Sequence, residues 1–295
     1  MPVNSSSNVF ETLRPQLVAI AYRMLGTKSD AEDVVHDAWL RWKASDVEKI
    51  RCSQAWLKTT VTRLSIDRLR RAKVERQAYT GPWLPEPLSE AELSSPEIAL
   101  ERDEDISIAF MTLLETLSPE ERAVFVLHDI LDDDYAEIAE TVGKSTAACR
   151  QLVHRAREKL TSKRRRYLVD EETRKRMLAK FIEAANRGDR SEVMKLFATH
   201  AVMISDGGGK GVAVRRPLLG AERISWLWFA VARRSELRAE RRLVRVNGET
   251  AIASFYRGRL HSVATIETDG EQIHAFYTIA NPDKLSAFRN LLVTR

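Results

Sequence analysis

Three groups of side chains in this 295-residue chain have types and spacings that could do chemistry. The first is Thr146, Ala147, Arg150, Gln151, His154 and Arg155, which fall on one side of a helical pattern. Short and hydrogen-bonding side chains arranged this way suit the base edges of a major groove. The second is Lys58, Arg63, Arg68, Arg70, Arg71 and Lys73, with Thr59, Thr62 and Ser65 between them. That is more positive charge than a helix C-terminus needs, so it reads as a phosphate-contacting surface. The third is Asp206, His261 and His274, a carboxylate and two imidazoles, side-chain types that can act as acids or bases. Turn and strand residues of these kinds more often serve structure, so no catalytic residue is assigned and an enzyme is not expected. The histidines are scattered and neither CxxC nor HExxH occurs, which argues against a metal site. Gly211 follows Lys210 where a phosphate-binding loop would place Ser or Thr, so neither a nucleotide nor any other cofactor is expected.

The first group needs a rigid helix to present it, and Tyr135–Leu160 supplies one. Ala136, Ile138, Ala139 and Val142 give a first helix an apolar side. Gly143 can take the left-handed conformation that ends it, and Ser145 can cap a second helix. On that second helix Cys149, Val153, Ala156 and Leu160 share the packing side. The pattern is a helix-turn-helix. Just upstream, Ser118-Pro119-Glu120-Glu121 reads as a capped helix start with a capping box.

The second group sits on a helix expected from Ser53 to Lys73, packed through Trp56, Leu57, Thr60, Val61, Leu64, Ile66 and Leu69. Two helices precede it. One runs from Val9 to Leu25 and stops at Gly26. The next, DAEDVVHDAWLRWKA, buries Ala31, Val34, Val35, Ala38, Trp39 and Trp42 and shows Glu32, Asp33, His36 and Asp37 on its other face. A charged face is usually only solvated, and an acidic one is ill suited to DNA. A protein-docking surface is the functional alternative.

Charge alternates along the chain. Residues 1–77 carry a net +5, 78–134 a net −13, 135–168 a net +6 and 169–295 a net +7. Two basic blocks separated by an acidic one suggest two polyanion-binding modules on a tether that avoids phosphate. Lys163–Arg166 would extend the second block. In the tether, Pro82, Pro85 and Pro87 exclude a continuous helix, and Trp83 and Leu84 would be exposed unless something binds them. An acidic helix is expected from Pro96 to Leu117. Only two cysteines, Cys52 and Cys149, occur, with no framework around them, and no apolar run is long enough to span a membrane, so a reducing cytoplasm is expected.

From Glu171 onward the pattern becomes mixed. Two helices broken at Gly188, a strand at Ala201–Ser205 and a helix from Gly220 to Arg234 are followed by apolar runs with turns between them. The runs are Leu237–Val246, Thr250–Tyr256, Leu260–Thr268 and Gln272–Ile279, the last two joined by Asp269-Gly270. Helices before an antiparallel meander predict an α+β domain.

These residues resemble the extracytoplasmic-function sigma factors of the sigma-70 family. DAEDVVHDAWLRW resembles the helix that docks on the polymerase clamp, which implies polymerase contacts at Glu32, Asp33, His36 and Asp37. AWLKTTVTRLSIDRLRRAK resembles the −10-reading helix, which implies DNA contacts at Thr62, Arg63, Asp67, Arg68, Arg70 and Arg71. YAEIAETVGKSTAACRQLVHRARE resembles the −35 reader, which implies roles for Ser145, Thr146, Ala147, Arg150, Gln151, His154 and Arg155. The family usually has Arg or Lys where Leu152 stands and often Asn at the position of Arg63.

Three short motifs look like those of the subgroup with a C-terminal SnoaL-like, NTF2-like cone. They are Trp83-Leu84-Pro85-Glu86-Pro87, Asp206-Gly207-Gly208-Gly209-Lys210 and Asn281-Pro282-Asp283-Lys284-Leu285. The resemblance implies two all-α sigma domains followed by an α+β domain. The boundaries expected are 1–77, a linker at 78–107, 108–168, and 169–295. Core RNA polymerase and promoter DNA would be the partners, with room for an unidentified small ligand in the C-terminal domain. The regulatory expectation is that Asp206–Lys210 and Asn281–Leu285 lie near one another or near the proline-rich linker, and so bias how the two DNA modules sit. The rival reading is a one-component transcription regulator that senses a small molecule. It would leave the basic helix and the acidic face unexplained.

Overall fold

A computed structural model describes residues 3–46, 49–93, 106–161, 169–234 and 239–292. The chain divides into two compact units, one formed by residues 1–77, 91–106 and 110–164, the other by 78–90, 107–109 and 165–295.

The first unit is helical. Helices α1 (Val3–Leu25), α2 (Lys28–Ala44) and α3 (Ser53–Gln77) pack on one another. Leu17, Ile20, Met24, Val35, Ala38, Trp42, Leu57 and Val61 fill the space between them. Trp39, expected in this stripe, is only half buried and stacks on His36. A short α4 (Glu90–Leu93) and α5 (Ile108–Leu114) follow. Residues 94–105, the first part of the expected acidic helix, and the basic tract Lys163–Arg166 lie outside the described residues.

Helix α6 (Pro119–Phe125) starts as its sequence predicts. The Ser118 hydroxyl accepts from the Glu121 amide at 3.2 Å, and the Glu121 carboxylate accepts from the Ser118 amide at 2.9 Å. Its continuation is wider, a π-turn over Val126–Ile130. Then come α7 (Tyr135–Val142) and α8 (Thr146–Thr161). Asp134 caps α7, and Gly143 ends it at φ 68°. The Ser145 hydroxyl accepts from the Ala148 amide at 3.2 Å, which starts α8. Ile138, Cys149, Leu152 and Val153 close a small core with Val124 and Leu127.

The second unit is α+β. One mixed sheet of six strands has the order β2-β1-β6-β5-β4-β3. The strands are β1 (Phe197–Asp206), β2 (Leu218–Leu219), β3 (Glu240–Val246), β4 (Glu249–Tyr256), β5 (Arg259–Thr268) and β6 (Ile273–Ile279). The last four form the expected antiparallel meander. The β1–β6 pairing is parallel, with Asp206 opposite Ile279, and alternation within single strands could not specify it. Helices α9 (Glu171–Arg187), α10 (Arg190–Leu196) and α11 (Ala221–Ala232) cover one sheet face through Phe181, Leu178, Val193 and Ile224 against Ile252, Ile266 and Phe276. The other face carries Val246, Ala251, Val263, Ala275 and Ile279.

That second face is covered by the proline-rich segment and by the 3-10 helix Pro282–Leu292. Leu84 and Leu88 are fully buried there, and Pro85 and Pro87 are buried too. The segment runs beside β3: the Asn247 amide donates to the Leu88 carbonyl at 2.9 Å, and the Leu88 amide donates to the Asn247 side chain at 2.8 Å. Residues 78–90, which composition marks as linker, are therefore an outer layer of the sheet domain.

Replacing Ser118 by Ala removes one half of the capping box. The expected loss is about 1 kcal/mol, read as a lowered urea midpoint for the helical unit at unchanged slope.

Candidate functional site

Helix α8 presents Ser145, Thr146, Ala147, Arg150, Gln151, His154 and Arg155 to solvent, while Cys149, Leu152, Val153, Ala156 and Leu160 are buried. The alternation follows from helical periodicity: one side closes the core, and the other faces solvent. Leu152 lies in the core with Val124 and Leu127. The Arg150 guanidinium sits 5.2 Å from the Tyr135 ring centroid, and Arg155 pairs with Glu121 at 3.7 Å. His154 lies 3.5 Å from Glu158. Cys149 is buried, and burial raises its thiol pKa, which makes it a packing residue with an inert sulfur.

The residues of α3 are placed differently. Thr62 is wholly buried, and its hydroxyl has no partner among the described residues. Arg63 is exposed, yet its guanidinium donates to the carbonyls of Glu140 and Thr141, each at 2.8 Å. Those carbonyls end α7 and would otherwise lack donors. Lys58 pairs with Asp133 at 2.7 Å, and Thr59 lies 3.1 Å from Thr141. Arg68 pairs with Asp30 at 2.8 Å and Glu75 at 3.0 Å, while Arg70 reaches Asp67 at 2.9 Å and Glu120 at 2.6 Å. Arg71 is exposed. Thus part of the basic side of α3 is engaged by the helices around the helix-turn-helix.

On α2, Glu32, Asp33, His36 and Asp37 all face solvent. Glu32 has a loose 3.8 Å contact with Lys28, so most of this acidic face remains available.

The three short motifs converge in the second unit. Asp206, at the end of β1, is completely buried. Its carboxylate accepts from the Tyr79 hydroxyl at 2.5 Å, the Leu84 amide at 2.9 Å and the Lys284 ammonium at 2.7 Å. Lys284, itself buried, also donates to the Leu84 carbonyl and stands 4.0 Å from the Trp83 ring centroid. Asn281 donates to the Tyr79 hydroxyl at 2.9 Å. Burial and the neighbouring Asp206 carboxylate push the Tyr79 pKa well above its ordinary value, so the phenol stays a donor. Lys210 pairs with Asp283, joining two of the motifs at the surface.

Glycine is required where these segments pass closely. Gly208 has φ 57°, and a Cβ there would lie 2.4 Å from the Asn281 amide nitrogen. A Cβ on Gly211 would lie 2.0 Å from the Ala280 carbonyl oxygen.

Tyr79 was missed by sequence reasoning, since it lies outside the motif and its role depends on a partner 127 residues away. A tyrosine directly before a proline-rich run was the only signal. Buried Arg122 was missed as well: it donates to the Arg23 carbonyl at 2.8 Å and pairs with Glu115.

The three acid–base candidates do not meet. Asp206 is spent in the clasp. His274 is bound to the hairpin residue Asp269 at 2.7 Å, five residues along β6 from the partner of Asp206. That separation is about 17 Å at ~3.4 Å per residue. His261 is half buried, and burial lowers its pKa.

Removing one member of the clasp leaves a buried charge alone. Asp206→Ala is expected to cost about 3–5 kcal/mol, read by hydrogen exchange at the β1 and β6 amides. Pairing it with Lys284→Met should recover most of that loss. Gly208→Ala should weaken protection of the Leu84 and Leu88 amides without changing that of α7 and α8.

The profile of Sigma-70 region 2 matches residues 9–75, and that of Sigma-70 region 4 matches residues 107–160. The ECF RNA polymerase sigma factor SigJ of Mycobacterium tuberculosis is 35% identical over 288 residues, covering 94% of this chain and 92% of the relative. A probable ECF RNA polymerase sigma factor, SigI, of the same species is 29% identical over 94% of this chain and 93% of its own. The crystal structure of the SigJ protein superposes with a TM-score of 0.76 at 32% identity, covering 95% of this chain and 98% of that one. With two sigma-70 regions placed on the two helical modules and a full-length relative at this identity, the chain belongs to the extracytoplasmic-function sigma factors of the sigma-70 family.

Proposed function

We propose that the protein is a non-enzymatic initiation subunit that directs core RNA polymerase to promoters. The observation that carries this is the outward face of α8, where Arg150, Gln151, His154 and Arg155 are exposed on a helix whose opposite side closes the core. In this reading α8 enters the major groove of the −35 element, with Ser145, Thr146 and Ala147 at its leading end. Thr62, Arg63, Asp67, Arg68, Arg70 and Arg71 of α3 serve the −10 element. Glu32, Asp33, His36 and Asp37 dock on polymerase. Binding that neutralises several phosphates is strongly salt-dependent.

The arrangement within the helical unit adds a condition. Arg63 cannot serve DNA while it caps the carbonyl end of α7, nor can Lys58 while it pairs with Asp133. In this reading the helices bearing the two DNA-reading surfaces separate before promoter binding.

The C-terminal domain regulates this activity through the clasp. Tyr79 and Trp83–Leu88 belong to the segment that joins the two sigma regions, and the sheet domain fixes that segment through Asp206, Asn281 and Lys284. Glu86 of the same segment is half buried. Fixing the segment limits the spacings available to the two readers.

Three measurements test these roles. The Arg150→Ala, Gln151→Ala double variant should lose its preference for the −35 element by about 1–3 kcal/mol per good base contact, read in transcription from promoters altered only there. Unchanged preference would overturn the α8 assignment. Trp83→Ala, or truncation after about Arg166, should change promoter activity or polymerase affinity, and indistinguishable behaviour would remove the regulatory role. Failure to co-purify with core RNA polymerase would remove the initiation reading itself.

A further inference from the structure

Arg150 differs from the other long cations of α8 in what holds it. Arg155 pairs with Glu121 at 3.7 Å, Arg157 with Asp129 at 2.7 Å and Lys159 with Glu121 at 2.6 Å. No carboxylate pairs with Arg150 among the described residues, and its guanidinium lies over the Tyr135 ring instead, 5.2 Å from the centroid. The difference matters chemically. A carboxylate occupies the N–H donors of the guanidinium fork, whereas a ring meets its flat face and leaves the donors at its edge open. Arg150 is exposed, so that edge faces solvent.

The ring is itself fixed. Tyr135 is the first residue of α7 and is half buried against the small core that α7 and α8 share. The Asp134 carboxylate caps the helix beneath it, accepting from the Ala136 amide at 2.8 Å and the Glu137 amide at 2.9 Å. The His128 ring lies beside the Tyr135 ring, with centroids 4.3 Å apart and planes at 43°. His128 Nδ1 is 3.0 Å from the Asp133 carbonyl oxygen. His128 belongs to the π-turn Val126–Ile130. The next residue, Asp129, accepts two hydrogen bonds from the Arg157 guanidinium, at 2.7 and 2.8 Å. The support of the ring is therefore tied back to the helix that carries Arg150.

We propose that Tyr135 is a positioning residue that aims the Arg150 fork at a base edge, with His128 bracing the ring. This rests on α8 reading the −35 element. A mobile arginine must be ordered when it binds, and a ring beneath it lowers that entropic cost before DNA arrives. The effect falls on discrimination between bases, since phosphate attraction needs charge but no set direction.

The test uses the full chain assembled with core RNA polymerase, on promoters that differ only at the −35 element. Tyr135→Leu should lower the ratio of transcription from matched and altered promoters by about two- to fivefold, the size of one exposed cation–π contact. An unchanged ratio overturns the proposal. Tyr135→Phe, the conservative variant, keeps the ring and should restore the ratio. A loss there equal to that of Tyr135→Leu assigns the effect to the hydroxyl and also overturns it. In an Arg150→Ala background Tyr135→Leu should lower the ratio no further. An undiminished further loss means general damage to the helix-turn-helix, against the proposal. If Arg150→Ala alone leaves the ratio unchanged, the α8 reading falls and takes the positioning role with it. NMR of the free wild-type chain needs neither a variant nor DNA. The Arg150 δ-methylene protons should lie upfield of those of Arg155 and Arg157, shifted by the Tyr135 ring current. Unshifted protons overturn the positioning role and leave the α8 reading standing.

Discussion

A carboxylate with no exposure to water must find partners within the protein, and Asp206 fixes the second unit through that requirement. Its two oxygens take a phenol, a backbone amide and an ammonium. None of these partners is on its own strand. One comes from the 3-10 helix after β6, and two come from the proline-rich segment, more than a hundred residues before Asp206 in the chain. A buried ion pair adds little net stability compared with apolar packing, but breaking it is severe. Such a pair therefore specifies an arrangement: the segment must lie on the sheet face with Leu84 and Leu88 inward, because only there are the charges matched.

The proline-rich segment suits this use. Its prolines hold it extended and remove backbone donors that a covering layer would leave unpaired. Two of the donors that remain, at Leu84 and Leu88, are taken by Asp206 and Asn247. Trp83 covers the Lys284 ammonium with its ring face, which solvates the cation in place of water. The same chemistry ties the sheet domain to the stretch of chain between the two sigma-70 regions.

In the helical unit charge works differently. Arg63, Lys58 and Arg70 form contacts that a competing polyanion could replace, since most are at the surface and paired with backbone carbonyls or partly exposed carboxylates. Exposed pairs of this kind contribute little.

The sequence by itself determined what depends on local periodicity and on short-range capping. The two helices of the reader, the left-handed Gly143, the Ser118 box and the four-strand meander are all set by residues within a few positions of one another. It also marked which face of α8 is polar. Leu152 was the exception: its neighbours along the helix do not show that the π-turn at Val126–Ile130 places Leu127 beside it. Only the tertiary structure decided the rest. The parallel β1–β6 pairing, the burial of Thr62, the engagement of Arg63 and the partnership of Tyr79 with Asp206 all join segments far apart in the chain. Side-chain spacing carries no record of such distances. They are settled by which buried polar groups can satisfy one another once the apolar faces have closed.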